Sequence, residues 1–251
     1  MHGFSASPLL ALKTFYTGFK TNAYKTVHTI KSESVKFNGG KWFLNLVDEV
    51  TFPTEILRDK YEKGIIVRSN IDLKKFKPKK TKKDIDVLYY GATWADKGIN
   101  DLCESLKDTN IKVLIISRNP IPQELNSYLH CRNIRWIVGY VSDLENYINR
   151  AKFVVLPYRS LKGTEGNPSC LLEAVACKTP VITTNLPEIE EIFDNDEVLQ
   201  IDPKNYEFLN CINYNLKFYK NAKERANKAY KKIKEFSSEK IAERFEEIYS
   251  Y

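Results

Sequence analysis

The stretch from Phe153 to Thr184 constrains the fold of this chain more than any other. Phe153-Val154-Val155-Leu156 is a short, continuously apolar run, and Pro180-Val181-Ile182-Thr183-Thr184 is a second. Runs of this length and composition read as strands buried on both faces, the habit of a parallel sheet covered by helices. Between them, Glu165-Gly166-Asn167-Pro168-Ser169-Cys170-Leu171-Leu172-Glu173 is a polar loop turning into a helix. Asn167 suits the N-cap and Pro168 the first helical position. Strand, loop, helix start and strand follow one another as in an open α/β sheet, where ligands bind beyond the carboxyl ends of the strands.

A helix start in that position offers unpaired backbone N–H groups and a positive helix end, which together receive an anion. Glu165 and Glu173 sit on either side of it, eight positions apart. Carboxylates repel a phosphate, so their natural partners are hydroxyls, and a vicinal diol on a sugar or ribose supplies them. A ligand with phosphates, a ribose and a second sugar would satisfy the helix end, Glu173 and Glu165 together. A nucleotide-sugar is such a ligand. Surface solvation of two glutamates is the plain alternative.

The rest of the chain repeats the α/β pattern. Strands are expected at 85–90, 111–116, 134–138, 153–157, 180–184 and 198–201, with helices at 97–107, 122–129, 142–150, 168–177, 187–193 and 205–220. A charged helix should run from about Ser238 to Tyr251. Ahead of these, an apolar-periodic helix carries Leu9, Leu10, Leu12, Phe15 and Tyr16. Short strands follow at 25–30, 47–51 and 65–68, and a helix at 54–61 has Thr54 as its cap and Leu57 facing inward. Lys77-Pro78-Lys79-Lys80-Thr81-Lys82-Lys83 is the best linker candidate. The expected organisation is a first domain over 1–78, a second over 79–236, and a final helix over 237–251 returning to the first.

Charge divides the chain the same way. Residues 1–79 hold 14 Lys/Arg against 7 Asp/Glu, so the whole net charge of +7 lies there. An anionic partner such as a phospholipid surface, or merely a solvated basic face, would account for it. No helix-turn-helix, zinc or RNA-recognition signature accompanies the charge, so nucleic acid is not expected. Five scattered cysteines without a Cys-x2-Cys pair suggest reduced thiols rather than a disulfide frame or metal cage. No apolar run approaches the length of a membrane span, and no signal peptide is evident, so a cytoplasmic protein, soluble or peripheral at a membrane, is expected.

Several segments together resemble the retaining GT-B glycosyltransferases, closest to the large family 4 with its Glu-x7-Glu motif. The donor-site signature is matched by Leu156-Pro157, Glu165-Gly166-Asn167-Pro168 and Leu172-Glu173-Ala174-Val175-Ala176-Cys177-Lys178-Thr179-Pro180-Val181. Asn70-Ile71-Asp72-Leu73-Lys74-Lys75-Phe76-Lys77-Pro78 is similar to the family's interdomain segment. Val87-Leu88-Tyr89-Tyr90-Gly91 with Lys97-Gly98 resembles the first strand and phosphate-binding lysine of its nucleotide domain. The likeness covers nearly the whole chain, and the Glu-x7-Glu context is its most specific part. His2-Gly3-Phe4-Ser5-Ala6 is similar to a later part of the family's first domain, so that domain is expected to be incomplete.

The resemblance implies two Rossmann-like doubly wound domains facing across a cleft, and a metal-independent transfer of a hexose from a UDP- or GDP-sugar to an acceptor hydroxyl. The acceptor class (glycan, lipid-linked or protein) stays open. No Asp-x-Asp pair ends a strand, so no metal site is expected, and no resident cofactor. By resemblance Glu165 would hold the transferred sugar and Glu173 the donor ribose. Gly166, Asn167, Pro168 and Ser169 would grip sugar and diphosphate, and Gly91 and Gly139 would border the nucleotide. Lys97 would neutralise the leaving diphosphate. His28 resembles the acceptor-domain histidine, though a packed, hydrogen-bonded core residue is the alternative. Tyr140 reads as core packing rather than a base stacker. The family usually carries an Arg where Ala92 stands; Arg159 or Lys162 could replace that charge. A non-catalytic nucleotide-sugar-binding or partner subunit is the alternative function, and a short first domain would suit an oligomer.

Overall fold

The computed structural model describes residues 1–5, 11–31, 41–161, 168–205 and 207–250. Two parallel sheets organise these residues. The first has four strands, β1 (His2–Ser5), β2 (Val27–Ile30), β3 (Glu49–Phe52) and β4 (Ile65–Ile66), paired in sequence order. Its helices are α1 (Ala11–Lys20) and α2 (Glu55–Tyr61). Thr54 caps α2 as expected, accepting a hydrogen bond from Leu57 N at 3.2 Å, while Leu57 is buried.

The second sheet contains β5 (Ile85–Gly91), β6 (Val113–Ser117), β7 (Ile134–Val138), β8 (Ala151–Leu156), β9 (Val181–Thr184) and β10 (Leu199–Ile201). Its order is β10-β9-β8-β5-β6-β7, every pair parallel. The chain therefore runs outward from β5 to one edge, then returns to β8 and runs to the other. That reversal between β5 and β8 opens a crevice at their carboxyl ends. The helices between the strands are α3 (Ile99–Leu106), α4 (Leu144–Arg150), α5 (Ser169–Ala176) and α6 (Pro187–Glu190), and α7 (Phe208–Lys217) and α8 (Tyr219–Lys232) follow β10. Two apolar clusters, one on each face, enclose the sheet.

All six strands expected in the second unit are present, but several helical expectations need correction. The 122–129 helix is a 3₁₀ segment, Gln123–His130. The 205–220 helix stops at Lys217, and α8 begins at Tyr219 after a break at Phe218. Pro168 stands just before α5 rather than at its first turn; its carbonyl accepts from Leu171 N at 3.0 Å. In α1 the inward face is Ala11, Thr14 and Gly18, and Leu12, Phe15 and Tyr16 point outward.

The last helix, α9 (Ser238–Ser250), packs on the first sheet. Ile248 is buried with Val27 and Val67, and the Lys25 ammonium donates to Ile248 O at 2.7 Å. Glu191, just after α6, adds a second tie between the two units. Its carboxylate accepts from Glu55 N at 2.6 Å and Ile56 N at 3.3 Å, at the start of α2, and pairs with Arg68. The linker residues 77–83 are not a loose hinge. Lys79 N donates to the Asn149 side chain at 2.7 Å, and the Lys83 ammonium donates to Ala151 O at 2.9 Å.

Candidate active site

Two adjoining pockets, of about 420 and 460 Å³, occupy the carboxyl-end crevice of the second sheet. Both are lined by Gly91, Arg118, Ser169 and Cys170, so they form one groove. A larger cavity of about 710 Å³ lies at the amino ends of β5, β6 and β7. Among the described residues no helix start lines it, and the ligands of open α/β sheets sit at the other end, so chemistry places the site in the smaller pair.

The floor of the groove is the end of β5 tied to the start of α5. Tyr90 is buried, and its hydroxyl donates to Cys170 O at 2.7 Å, while the Cys170 thiol donates to Tyr90 O at 3.3 Å. Gly91 has φ +137°, a conformation that a side chain would strain, and a Cβ there would stand 3.5 Å from the Cys170 sulfur. In α5, Leu171, Leu172, Ala174, Val175 and Ala176 are buried. Ser169 and Glu173, one turn apart, are left to line the groove. Leu171 N and Leu172 N donate to Pro168 O at 3.0 and 3.3 Å, so an anion at this helix start would be met by the N–H groups of Ser169 and Cys170.

Glu173 is half-buried, and loss of hydration pushes its carboxyl up to about 7. The Tyr90 hydroxyl and the positive fields of Lys75 and Arg118 oppose that rise. It is therefore balanced between neutral and charged near neutrality, and a hydroxyl-rich ligand would favour the carboxylate by donating to it.

Lys97 lies in the 3₁₀ turn Ala95–Lys97 and is only 6% exposed, so it is not the solvated helix start that a lysine before glycine usually marks. Its ammonium stands 4.9 Å from the Tyr158 ring centroid, and burial lowers its pKa. Gly98 makes this turn possible. It has φ +66°, and a Cβ there would meet Pro157 O at 1.7 Å. The turn thus lies directly on the end of β8, and the lysine it carries lines the groove.

The second cation is a residue that sequence reasoning missed. Arg118, the first residue after β6, is exposed and lines both pockets. Arg159, expected to stand in for the charge absent at Ala92, is committed elsewhere: its guanidinium forms a two-pronged pair with Asp101 at 2.6 and 2.7 Å. Lys162 lies outside the described residues, as do Glu165, Gly166 and Asn167. The available signal for Arg118 was an Arg directly after an apolar strand, Val113–Ser117, where a parallel sheet places its ligand.

Gly139 follows β7 with φ +113° and lines the groove beside Tyr140. Tyr140 is 77% exposed, which corrects the expectation of a core residue; its ring is open to a planar ligand. His28 falls in the packed, hydrogen-bonded class. It is 1% exposed, its Nδ1 is 2.8 Å from the Thr14 hydroxyl, and it lines neither pocket of the groove. His2 is likewise structural, 2.7 Å from the Thr29 hydroxyl with its ring against Phe245. Burial lowers both imidazoles to about 4.

Comparisons with known proteins agree with this architecture. TuaC of Bacillus subtilis, named for teichuronic acid biosynthesis, is 30% identical over 127 residues, 49% of this chain and 30% of TuaC. The glycosyltransferase MJ1178 of Methanocaldococcus jannaschii is 27% identical over 109 residues, 42% of this chain and 30% of its own. The matched segment thus spans under a third of each of these relatives. Among solved structures, TarM superposes with a TM-score of 0.80 at 18% identity, covering 100% of this chain and 54% of TarM. Anabaena HepE in complex with UDP gives 0.80 at 11% identity, covering 99% of this chain and 78% of HepE. The fold is thus GT-B, two parallel α/β sheets built in the manner of these structures. The model of the family described as glycosyl transferases group 1 matches residues 70–235, from the segment entering the second sheet through its last helix, and the chain belongs to that family.

Proposed function

We propose that this protein transfers a hexose from a nucleoside diphosphate sugar to an acceptor hydroxyl, with retention at the anomeric carbon and without a metal ion. One observation carries the reading: Lys97, Arg118, the start of α5 and Glu173 converge on a single groove at the carboxyl ends of β5 and β6. Two cations and a helix end match the two charges of a diphosphate. Glu173 would accept from the ribose hydroxyls, and the base would lie by Gly139 and Tyr140. HepE in complex with UDP and with UDP-glucose supports a uridine donor of this kind. Glu165, by its place in the Glu-x7-Glu signature, would hold the transferred sugar.

In this reading the bond from the anomeric carbon to the phosphate oxygen breaks as the acceptor oxygen bonds to the same face. The departing phosphate takes the acceptor proton, so no protein nucleophile is needed. Lys97, Arg118 and the α5 N–H groups stabilise the charge that develops on the diphosphate. The acceptor would approach from the side of the first sheet. His28, enclosed in that sheet, would shape this side from beneath rather than by touching sugar, and its burial is what favours the second reading, a sugar-nucleotide-binding subunit without catalysis.

Calorimetric titration with UDP tests the donor site. Lys97→Ala and Arg118→Ala should each weaken binding by roughly tenfold or more, the worth of a hydrogen bond to a charged group. Wild-type affinity in both variants would overturn the assignment. UDP binding without UDP release from UDP-sugars, in the presence of lipid and glycan acceptors, would select the second reading.

A further inference from the structure

The helix α1 is built inside out. It meets the first sheet through Ala11, Thr14 and Gly18, and the approach is too close for larger groups: a Cβ on Gly18 would stand 2.3 Å from the Thr26 methyl. Its bulky residues are therefore displaced to the opposite face. Leu12, Phe15, Tyr16 and Phe19 form one stripe at helical spacing, with Tyr16 62% and Phe19 75% exposed. The stripe offers on the order of 400 Å² of apolar and aromatic surface, about the largest patch an ordinary monomer shows. The 3₁₀ turn Lys41–Leu46, which packs against α1, adds Trp42 at 61% exposure.

The segment that carries this stripe bears charge of one sign only. Residues 1–31 contain Lys13, Lys20, Lys25 and Lys31 and no Asp or Glu. We propose that the outward face of α1 is an interfacial anchor, which lays Leu12, Phe15, Tyr16 and Phe19 into the headgroup boundary of an anionic lipid bilayer with Lys13 and Lys20 on its phosphates. An apolar face with aromatic residues, flanked by lysines, is the physical signature of a helix lying in a membrane surface. A second copy of the chain fits poorly. A two-fold contact through this face would set lysine-only segments against each other. The anchor is independent of the donor-site reading, since none of its residues lines the groove.

The test is flotation of the full chain with vesicles of phosphatidylcholine alone and of equimolar phosphatidylcholine and phosphatidylglycerol. The chain should float with the second kind only, and less as salt rises. Lys13→Ala with Lys20→Ala should reduce partitioning by about 25-fold, at about fivefold per lysine near an anionic surface. Tyr16→Glu with Phe19→Glu should reduce it on the order of a hundredfold. Both positions are exposed, and unchanged thermal melting and UDP affinity would show that the variants fold. Trp42 emission should shift to the blue on binding. Absence of flotation, or flotation unaffected by both double variants, would overturn the proposal. So would Phe19-dependent self-association, or capture of an acidic protein by a chain that ignores vesicles.

Discussion

Replacing Glu173 by Gln isolates the cost of holding a carboxylate in the donor groove. Burial raises this group from 4.5 to about 7. Below pH 4.5 it is protonated in both folded and unfolded chains and contributes no slope. As pH rises from 4.5 to 7 the unfolded chain gives up the proton while the folded chain keeps it, so stability falls across that window and is level above it. A displacement of roughly 2.5 units corresponds to about 3 kcal/mol. Glu173→Gln keeps the shape and loses the titration. The variant should therefore gain about 3 kcal/mol on the wild type between pH 4.5 and pH 8, seen as a relative rise of about 6–12 °C in melting temperature for a chain of this size. The measurement is a pair of melting curves at each pH, read as a difference so that other titrating groups cancel. A difference that stays constant from pH 4.5 to 8 would refute a carboxyl buried in the groove. If the proposed ribose contact holds, UDP affinity of the wild type should also rise as pH passes 7, because the ligand's hydroxyls prefer the ionised form.

Two further outcomes follow from the same geometry. Gly98→Ala should destabilise by about 2–4 kcal/mol, since it adds left-handed strain to a collision with Pro157 O, and it should weaken UDP binding through displaced Lys97; unchanged melting would refute the close approach. His28, lowered to about 4, should stay neutral until acid; its share of stability is complete above pH 6.5 and lost as pH falls from 6.5 towards 4. Proton NMR of the imidazole gives the midpoint directly, and a value near 6.5 would place His28 in water.

The strands at the centre of the second sheet were legible because their two-sided burial demands continuous apolar runs, as in Val87–Tyr90, Val113–Ile116 and Phe153–Leu156. Helix ends were less so. Phe218 breaks α7 from α8 without glycine or proline, so composition carries no mark of it. β1, His2–Ser5, escaped because four residues around a glycine hold no periodicity; its place is set by pairing with β2. Within the groove, Lys97 and Glu173 could be read from local motifs. Arg118 carried only the faint signal of an arginine after an apolar strand and Tyr140 carried none, because their role comes from two loops brought side by side by strand pairing, 22 positions apart. The orientation of α1 was not legible for a related reason. Apolar periodicity marks a stripe but not which way it faces, and the small residues at Ala11, Thr14 and Gly18 decided that.

The return of α9 to the first sheet has a consequence for how the protein is made. Val27 and Val67 are covered by Ile248, a residue translated 181 positions after Val67. At roughly 5–20 residues per second, a ribosome needs about ten to thirty-five seconds to supply it. Throughout that interval the nascent amino-terminal lobe presents an uncovered hydrophobic face, and the second sheet is complete before the first is sealed. Folding factors that shield such faces should therefore be engaged on this chain early, and released only when its closing helix emerges.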